Sequence, residues 1–272
     1  MNRLDQHIKQ EAEASLLALR RHRRRIRAGK RGEALHDLRV SARRLAALLA
    51  PWQRDPALRL RKPLRVVKRH ITHSNAIRDS EVQEQLLRDL LPELPRDLAS
   101  WLAQQRRQRN RNLLALRRQL DKPALPRALG KLRKRLRRGL KRLPDHALIE
   151  AIGQREYRLR QGIASRLHDQ AALFSDPEHW HALRLACKRW RYLLESHGVY
   201  VGSNWETAAA HGQLAQDALG QLRDVELLQA RFAEAGLAGP AISQHLEQAQ
   251  QQRLAAARQA CQALRTQIET QQ

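Results

Sequence analysis

Aromatic residues make up only 4% of this 272-residue chain. That scarcity excludes a surface built on ranks of stacked rings, the usual grip on unpaired bases. There are two cysteines, Cys187 and Cys261, and no CxxC spacing. A disulfide scaffold and a zinc ribbon are both excluded, and a reducing cytosolic setting is expected. No apolar run approaches the roughly 20 residues that span a bilayer, and the first residues lack the apolar stretch of a signal peptide. Walker loops, GxSxG elbows and HExxH pairs are missing, so no turnover is expected. Acidic side chains are also in short supply, with 27 Asp and Glu against 52 Lys and Arg, a formal net charge of +25.

A positive excess of that size repels itself, and it is matched by an external partner of opposite sign: nucleic acid, an anionic surface or another polyanion. Leu, Ala, Arg and Gln dominate what remains, all of them good helix formers with little pull toward strands. The fold class expected is all-α. Breakers at Gly29 and Gly32, Pro51 and Pro56, Pro92 and Pro95, Pro123 and Pro126, Pro144, Pro177, Gly198 and Gly202, and Gly236 to Pro240 cut the chain into helix-length segments. In one of these, Leu129, Leu132, Leu136, Leu140 and Leu143 follow steps of three and four and define a packing side. Arg127, Lys131, Lys134, Arg138 and Lys141 fall on the other side.

The chain also repeats itself. HDLRVSARRLAALL from His36 matches HALRLACKRWRYLL from His181, an offset of 145 residues, and the same offset lays Ile77–Val82 on Leu222–Leu227 without a gap. Two matches at one offset indicate two copies of a helical unit, residues 1–120 and 126–272, each with room for about four helices.

Within each copy a basic row stands out. At ~100° per residue, His36, Arg39 and Arg43 share a narrow face opposite Leu38, Ala42, Leu45 and Leu49, and this row is expected to reach outward. The second copy repeats the layout with His181, Arg184, Lys188, Arg191 and Tyr192 opposite Leu183, Cys187, Trp190 and Leu194. Arg20 and Arg24 in an arginine-rich run, Arg44, Lys68, Lys134, Arg138 and Lys141 add to the expected binding surface. Arginine presents a planar fork to phosphate oxygens, and lysine a compact charge on a flexible stem. Neither His36 nor His181 has a second ligand three or four residues away, so no metal is expected there. His181 and His36 are expected to be mostly neutral among so many cations. His70 and His73 share a face and read as exposed and incidental. Asp79 and Glu81 recur as Asp224 and Glu226 beside Arg78 and Arg223, where they are expected to orient guanidiniums rather than hold magnesium.

The residues HDLRVSARRL from His36 and HALRLACKRWRYLLE from His181, with RDSEV from Arg78 and LGQLRD from Leu219, resemble the CHAD family, the conserved histidine α-helical domain. The resemblance covers nearly the whole chain and implies a single domain of two pseudo-symmetric four-helix bundles around a basic central groove or pore. It further implies a stand-alone binder of inorganic polyphosphate, without cofactor, cytoplasmic and associated with polyphosphate granules. The family's basic positions fall on His36, Arg39, Arg43 and Arg44 and on His181, Arg184, Lys188 and Arg191. Three departures stand out: Ala46 in place of an Arg, Gln213 in place of a Lys, and Ser74-Asn75 in place of a Leu-Gly turn. The alternatives are a nucleic-acid binder without sequence preference, with nucleic acid otherwise a weaker competitor, and a granule-associated scaffold.

Overall fold

The computed structural model describes the chain except for residues 1–3, 31, 92–94, 238 and 271–272. Among the described residues there is no strand, and eleven α-helices follow one another. They are α1 Leu4–Arg27, α2 Gly32–Leu48, α3 Arg61–His73, α4 Asn75–Leu90, α5 Arg96–Asp121 and α6 Ala124–Gly139, then α7 Asp145–Leu167, α8 Gln170–Ser175, α9 Pro177–His197, α10 Trp205–Ala235 and α11 Pro240–Glu269. The all-α expectation holds. Apart from Pro126, which lies in the first turn of α6, and Pro92, which lies outside the described residues, the breakers sit at the joints, and several do so for a specific reason. Gly29 and Gly236 adopt left-handed φ values of 87° and 66°, closing α1 and α10. At the second joint the Leu237 amide returns to the Phe232 carbonyl at 2.9 Å, satisfying one of the carbonyls that a helix end leaves open. Pro177 and Pro240 open α9 and α11, where a missing amide hydrogen is harmless.

Two joints have neither glycine nor proline, the His168-Asp169 link between α7 and α8 and the break at Ser74. Ser74 separates α3 from α4, its backbone amide and its hydroxyl both donating to the Ile71 carbonyl, at 3.0 and 2.6 Å. A shift of 145 residues carries α1 onto α7, α2 onto α9 and α5 onto α11, whereas α3 and α4 together fall on the unbroken α10. The interruption therefore coincides with the Ser74-Asn75 departure, whose counterparts Leu219 and Gly220 lie inside α10.

The helices sort into two compact units. The first holds residues 1–77, 110–156 and 195–202, and the second 78–109, 157–194 and 203–272. Each thus draws on both sequence copies. The core of the first unit is a leucine cluster in which Leu16, Leu45, Leu64, Leu129, Leu132 and Leu136 are buried, with Trp52 among them. Along α6 and the 3-10 turn Leu140–Arg142 that follows it, the four leucines from Leu129 to Leu140 are buried, while Arg127, Lys131, Lys134, Arg138 and Lys141 are all exposed. In the second unit, α4 and α5 meet α10 and α11 through Leu87, Leu98, Leu102, Leu228, Phe232 and Leu246, and Trp101 sets its ring edge on Phe232 at 5.1 Å. The long α10 runs beside α11. No helix among the described residues is long and apolar enough to cross a membrane.

Candidate functional site

The histidine helix of the first unit, α2, keeps two of its basic residues at the surface and withdraws a third. His36 and Arg44 are exposed and Arg43 is half-buried. Arg39 is only 6% exposed. Its Nη1 donates to Ser74 Oγ at 2.7 Å and to Asn75 Oδ1 at 3.0 Å, so the guanidinium spans the joint between α3 and α4. The expectation that Arg39 reaches outward is corrected here. A helical wheel gives the direction of a side chain but not what another helix lays over it.

In the second unit α9 carries His181, Arg184, Lys188, Arg191 and Tyr192, all partly exposed. Arg184 meets a different partner at the same repeat position. Its guanidinium rests on the bare Cα of Gly220, where an added Cβ would come within 3.1 Å of Nε. That Nε is buried without a hydrogen-bond partner, as is Nδ1 of His181. Burial, then the charges of Arg223 and Arg184, push the His181 pKa below its ordinary value. Asp224 faces the same cluster. Burial first, opposed by Arg184 and reinforced by Asp79, raises its carboxyl to about 6. Arg191 donates from Nε to Gln216 Oε1 at 3.3 Å and stacks over the Tyr192 ring at 4.2 Å. Tyr192 therefore sits in the row as a rest for the guanidinium.

Of the repeated acidic residues, the two glutamates pair as their spacing predicts. Glu81 lies 3.5 Å from Arg78 and Glu226 lies 3.7 Å from Arg223, the same pairing at both ends of the offset. No group of three or more His, Cys, Asp or Glu among the described residues could hold a metal ion. His70, expected to be exposed, is buried and shares its Nδ1 with the Val66 carbonyl at 2.8 Å, while His73 is exposed.

The other sequence candidates all lie in the first unit. Much of the arginine-rich end of α1 is used internally: Arg23 donates to the Leu120 carbonyl at 2.7 Å, Arg25 pairs with Asp37 at 3.5 Å and Arg27 pairs with Asp121. Arg20 and Arg24 carry no such bond among the described residues. Lys68 is exposed and reaches Gln53 at 3.4 Å. Lys134 and Arg138 line a cleft that α6 forms with the loop before α3, together with Arg59, Lys131, Arg135 and Arg142. Lys141 is exposed nearby in sequence but does not line it. Sequence reasoning missed Arg59, Arg135 and Arg142. The spacing 131, 135, 138, 142 held the signal, since steps of four, three and four keep one helix face.

Comparison with known proteins returns a match to the CHAD domain over residues 10–233. Among solved structures, the crystal structure of the CHAD domain from the plant Ricinus communis superposes with a TM-score of 0.70 at 23% identity, covering 98% of this chain and 91% of that one. A search of curated proteins gave no match.

Proposed function

Because the chain belongs to the CHAD domain family, we propose that it binds inorganic polyphosphate through the Lys and Arg rows of its histidine helices, without turning it over. The observation that carries this reading is the recurrence of the basic row. His36, Arg39, Arg43 and Arg44 reappear after 145 residues as His181, Arg184, Lys188 and Arg189, in a chain with a net charge of +25. Residues 1–120 and 126–272 act in this reading as two copies of one binding unit.

The roles differ by residue. Arg184, Lys188 and Arg191 offer partly exposed cations on α9, and His36, Arg43 and Arg44 do so on α2. Arg39 acts by holding the joint at Ser74 and Asn75, which fixes α2 against α3. His181, held neutral, donates one hydrogen bond to a phosphate oxygen. Carboxylates at Glu81 and Glu226 keep Arg78 and Arg223 in fixed orientations. A ligand made only of phosphate needs no ring stacking, which suits a chain this poor in aromatics. The setting proposed is cytoplasmic and granule-associated.

Competition between polyphosphate and RNA tests the reading. At equal phosphate concentration and physiological salt, polyphosphate is expected to displace labelled RNA. Failure to displace it would put nucleic acid first. Incubation with polyphosphate, nucleoside triphosphate and divalent metal is expected to release no orthophosphate above background, and steady release would make the protein an enzyme.

A further inference from the structure

The cleft on α6 is built separately from the histidine helices. Its volume is about 560 Å³, inside the range of ligand clefts, and its walls carry Arg59, Lys131, Lys134, Arg135, Arg138 and Arg142 with no carboxylate among the lining residues. Lys131, Lys134, Arg138 and Arg142 have no hydrogen-bond or ion-pair partner among the described residues. On the opposite side of the same helix, Arg133 is engaged by Glu13 at 2.9 Å. The α6 cations are thus divided between a side tied to α1 and a side left facing the cleft.

Three contacts hold the cleft in shape. Arg135 donates from Nη1 to the Arg59 carbonyl, joining α6 to the loop. The loop turns on Asp55, whose Oδ1 accepts from the amides of Ala57 at 2.8 Å and Leu58 at 3.1 Å, so the nearest carboxylate of the loop is directed at its own backbone. Gly139 lets the buried Leu58 approach so closely that an added Cβ would lie 2.3 Å from Leu58 Cδ2. Beyond that turn, Arg59 is held at a left-handed φ of 49°, a conformation that a non-glycine residue adopts only where its surroundings enforce it.

We infer that this cleft is a self-contained site for a short linear phosphate chain. The inference rests on the polyphosphate reading for its ligand class and goes beyond it in location. From Lys131 to Arg138 the helix rises about 10 Å, a length suited to a few linked phosphates. Arginine forks can bind two oxygens of one phosphate, and the lysines neutralise the next. A long chain would seat one segment here and project beyond both ends.

Tripolyphosphate is the probe, with titration calorimetry giving affinity and stoichiometry, and circular dichroism checking helicity. The variant Lys134→Gln, Arg138→Gln, Arg142→Gln is expected to bind tripolyphosphate roughly a hundredfold more weakly and to lose part of the salt dependence. A control with the same charge change, Arg96→Gln, Arg107→Gln, Arg258→Gln, should leave tripolyphosphate affinity within about threefold, because none of the three lines the cleft. Equal losses in the cleft variant and the control would mean that net charge alone binds, and would overturn the site. If the wild type binds long polyphosphate but the cleft variant keeps full tripolyphosphate affinity, the inference fails and the proposed function stands. If the wild type binds tripolyphosphate in the cleft but not long polyphosphate, the proposed function fails and the cleft remains. Displacement of tripolyphosphate by a short RNA at lower phosphate concentration would overturn the ligand class. The single variant Lys134→Gln, which removes one exposed charge, keeps the test valid should the triple variant lose helicity. It is expected to weaken tripolyphosphate about fivefold, and an unchanged affinity would overturn the site.

Discussion

Arg39 and Arg184 occupy the same place in the two sequence copies and live in opposite surroundings. Arg39 is buried, and its Nη1 is taken up by Ser74 and Asn75. Arg184 is partly exposed and lies on a glycine, with a buried Nε lacking a partner. The difference arises from two residues. Where the first copy has Ser74-Asn75 it supplies two acceptors and a helix break, and where the second has Leu219-Gly220 it supplies neither and the helix continues. A repeated cation is therefore a fastener in one copy and a partly exposed charge in the other.

The largest expected effect breaks this comparison at the fastener. Arg39→Leu leaves Ser74 and Asn75 without their buried donor and should lower unfolding free energy by about 2–4 kcal/mol, whereas Arg184→Leu should lower it by less than about 1 kcal/mol. Urea denaturation of both variants decides it. Equal losses would erase the distinction.

Next in size comes pH, which should reach the Arg184 side of the comparison through Asp224. The Asp224 carboxyl is raised from 3.8 to about 6 in the fold, so the folded protein holds that proton more tightly than the unfolded chain. Its stabilising contribution is complete below about 4 and disappears as pH rises through about 6. Wild type should therefore gain about 1–2 kcal/mol relative to Asp224→Asn on going from pH 7 to pH 4. The opposite sign applies to Glu84. Hydrogen bonds and charge from Arg106 and Arg109 hold it down at about 2, so its contribution is present above 4.5 and fades as pH falls toward 2. Comparing Asp224→Asn and Glu84→Gln across this range separates the two, and parallel curves would contradict both assignments.

A smaller effect is expected in binding. Arg184→Gln should weaken polyphosphate about threefold, since one contact among many is lost, by analogy with DNA. The change should appear without loss of stability, unlike any weakening in the Arg39 variant, and fluorescence titration alongside thermal melting reads both. Smallest is Gly220→Ala, whose methyl would press on the Arg184 guanidinium at 3.1–3.3 Å. The flexible side chain can yield, so stability should fall by no more than about 0.5–1 kcal/mol, with affinity shifting in either direction by less than twofold. A drop of several kcal/mol would show Arg184 to be fastened after all.

Helix boundaries were legible wherever glycine or proline made the backbone depart, as at Gly29, Pro177 and Gly236, and the leucine stripe of α6 told which side packs. Short-range pairing was legible too, because Arg78–Glu81 and Arg223–Glu226 depend only on spacing along one helix. Contacts between helices were not. The burial of Arg39 depends on Ser74 and Asn75, more than 30 residues away, and the break at Ser74 has no residue type that announces it. The α6 cleft needed the loop through Pro56 to Arg59 to be placed against α6, which no pattern within α6 encodes. The contact units cross the sequence copies for the same reason, since a repeat in sequence fixes which helices resemble one another and leaves open which ones pack together.

The imidazole of His197 is fully buried with its ring edge-on to Trp52, and its Nε2 bonds the Leu48 carbonyl at 2.9 Å, in the last turn of α2. That carbonyl is one of the few a helix cannot satisfy from within, and its partner arrives 149 residues later along the chain. The end of α2 is therefore completed in time as well as in space. While the chain is being made, α2 can coil early but must keep that terminus in water until α9 has been synthesised and docked, and contacts of such long sequence separation form late. Hydrogen exchange followed during refolding would register this as slow protection at the end of α2, while its middle turns protect first. Burial holds the His197 pKa at about 4, so the closing step needs the uncharged ring. Refolding at pH 5, where an exposed histidine carries a proton, should lengthen that delay.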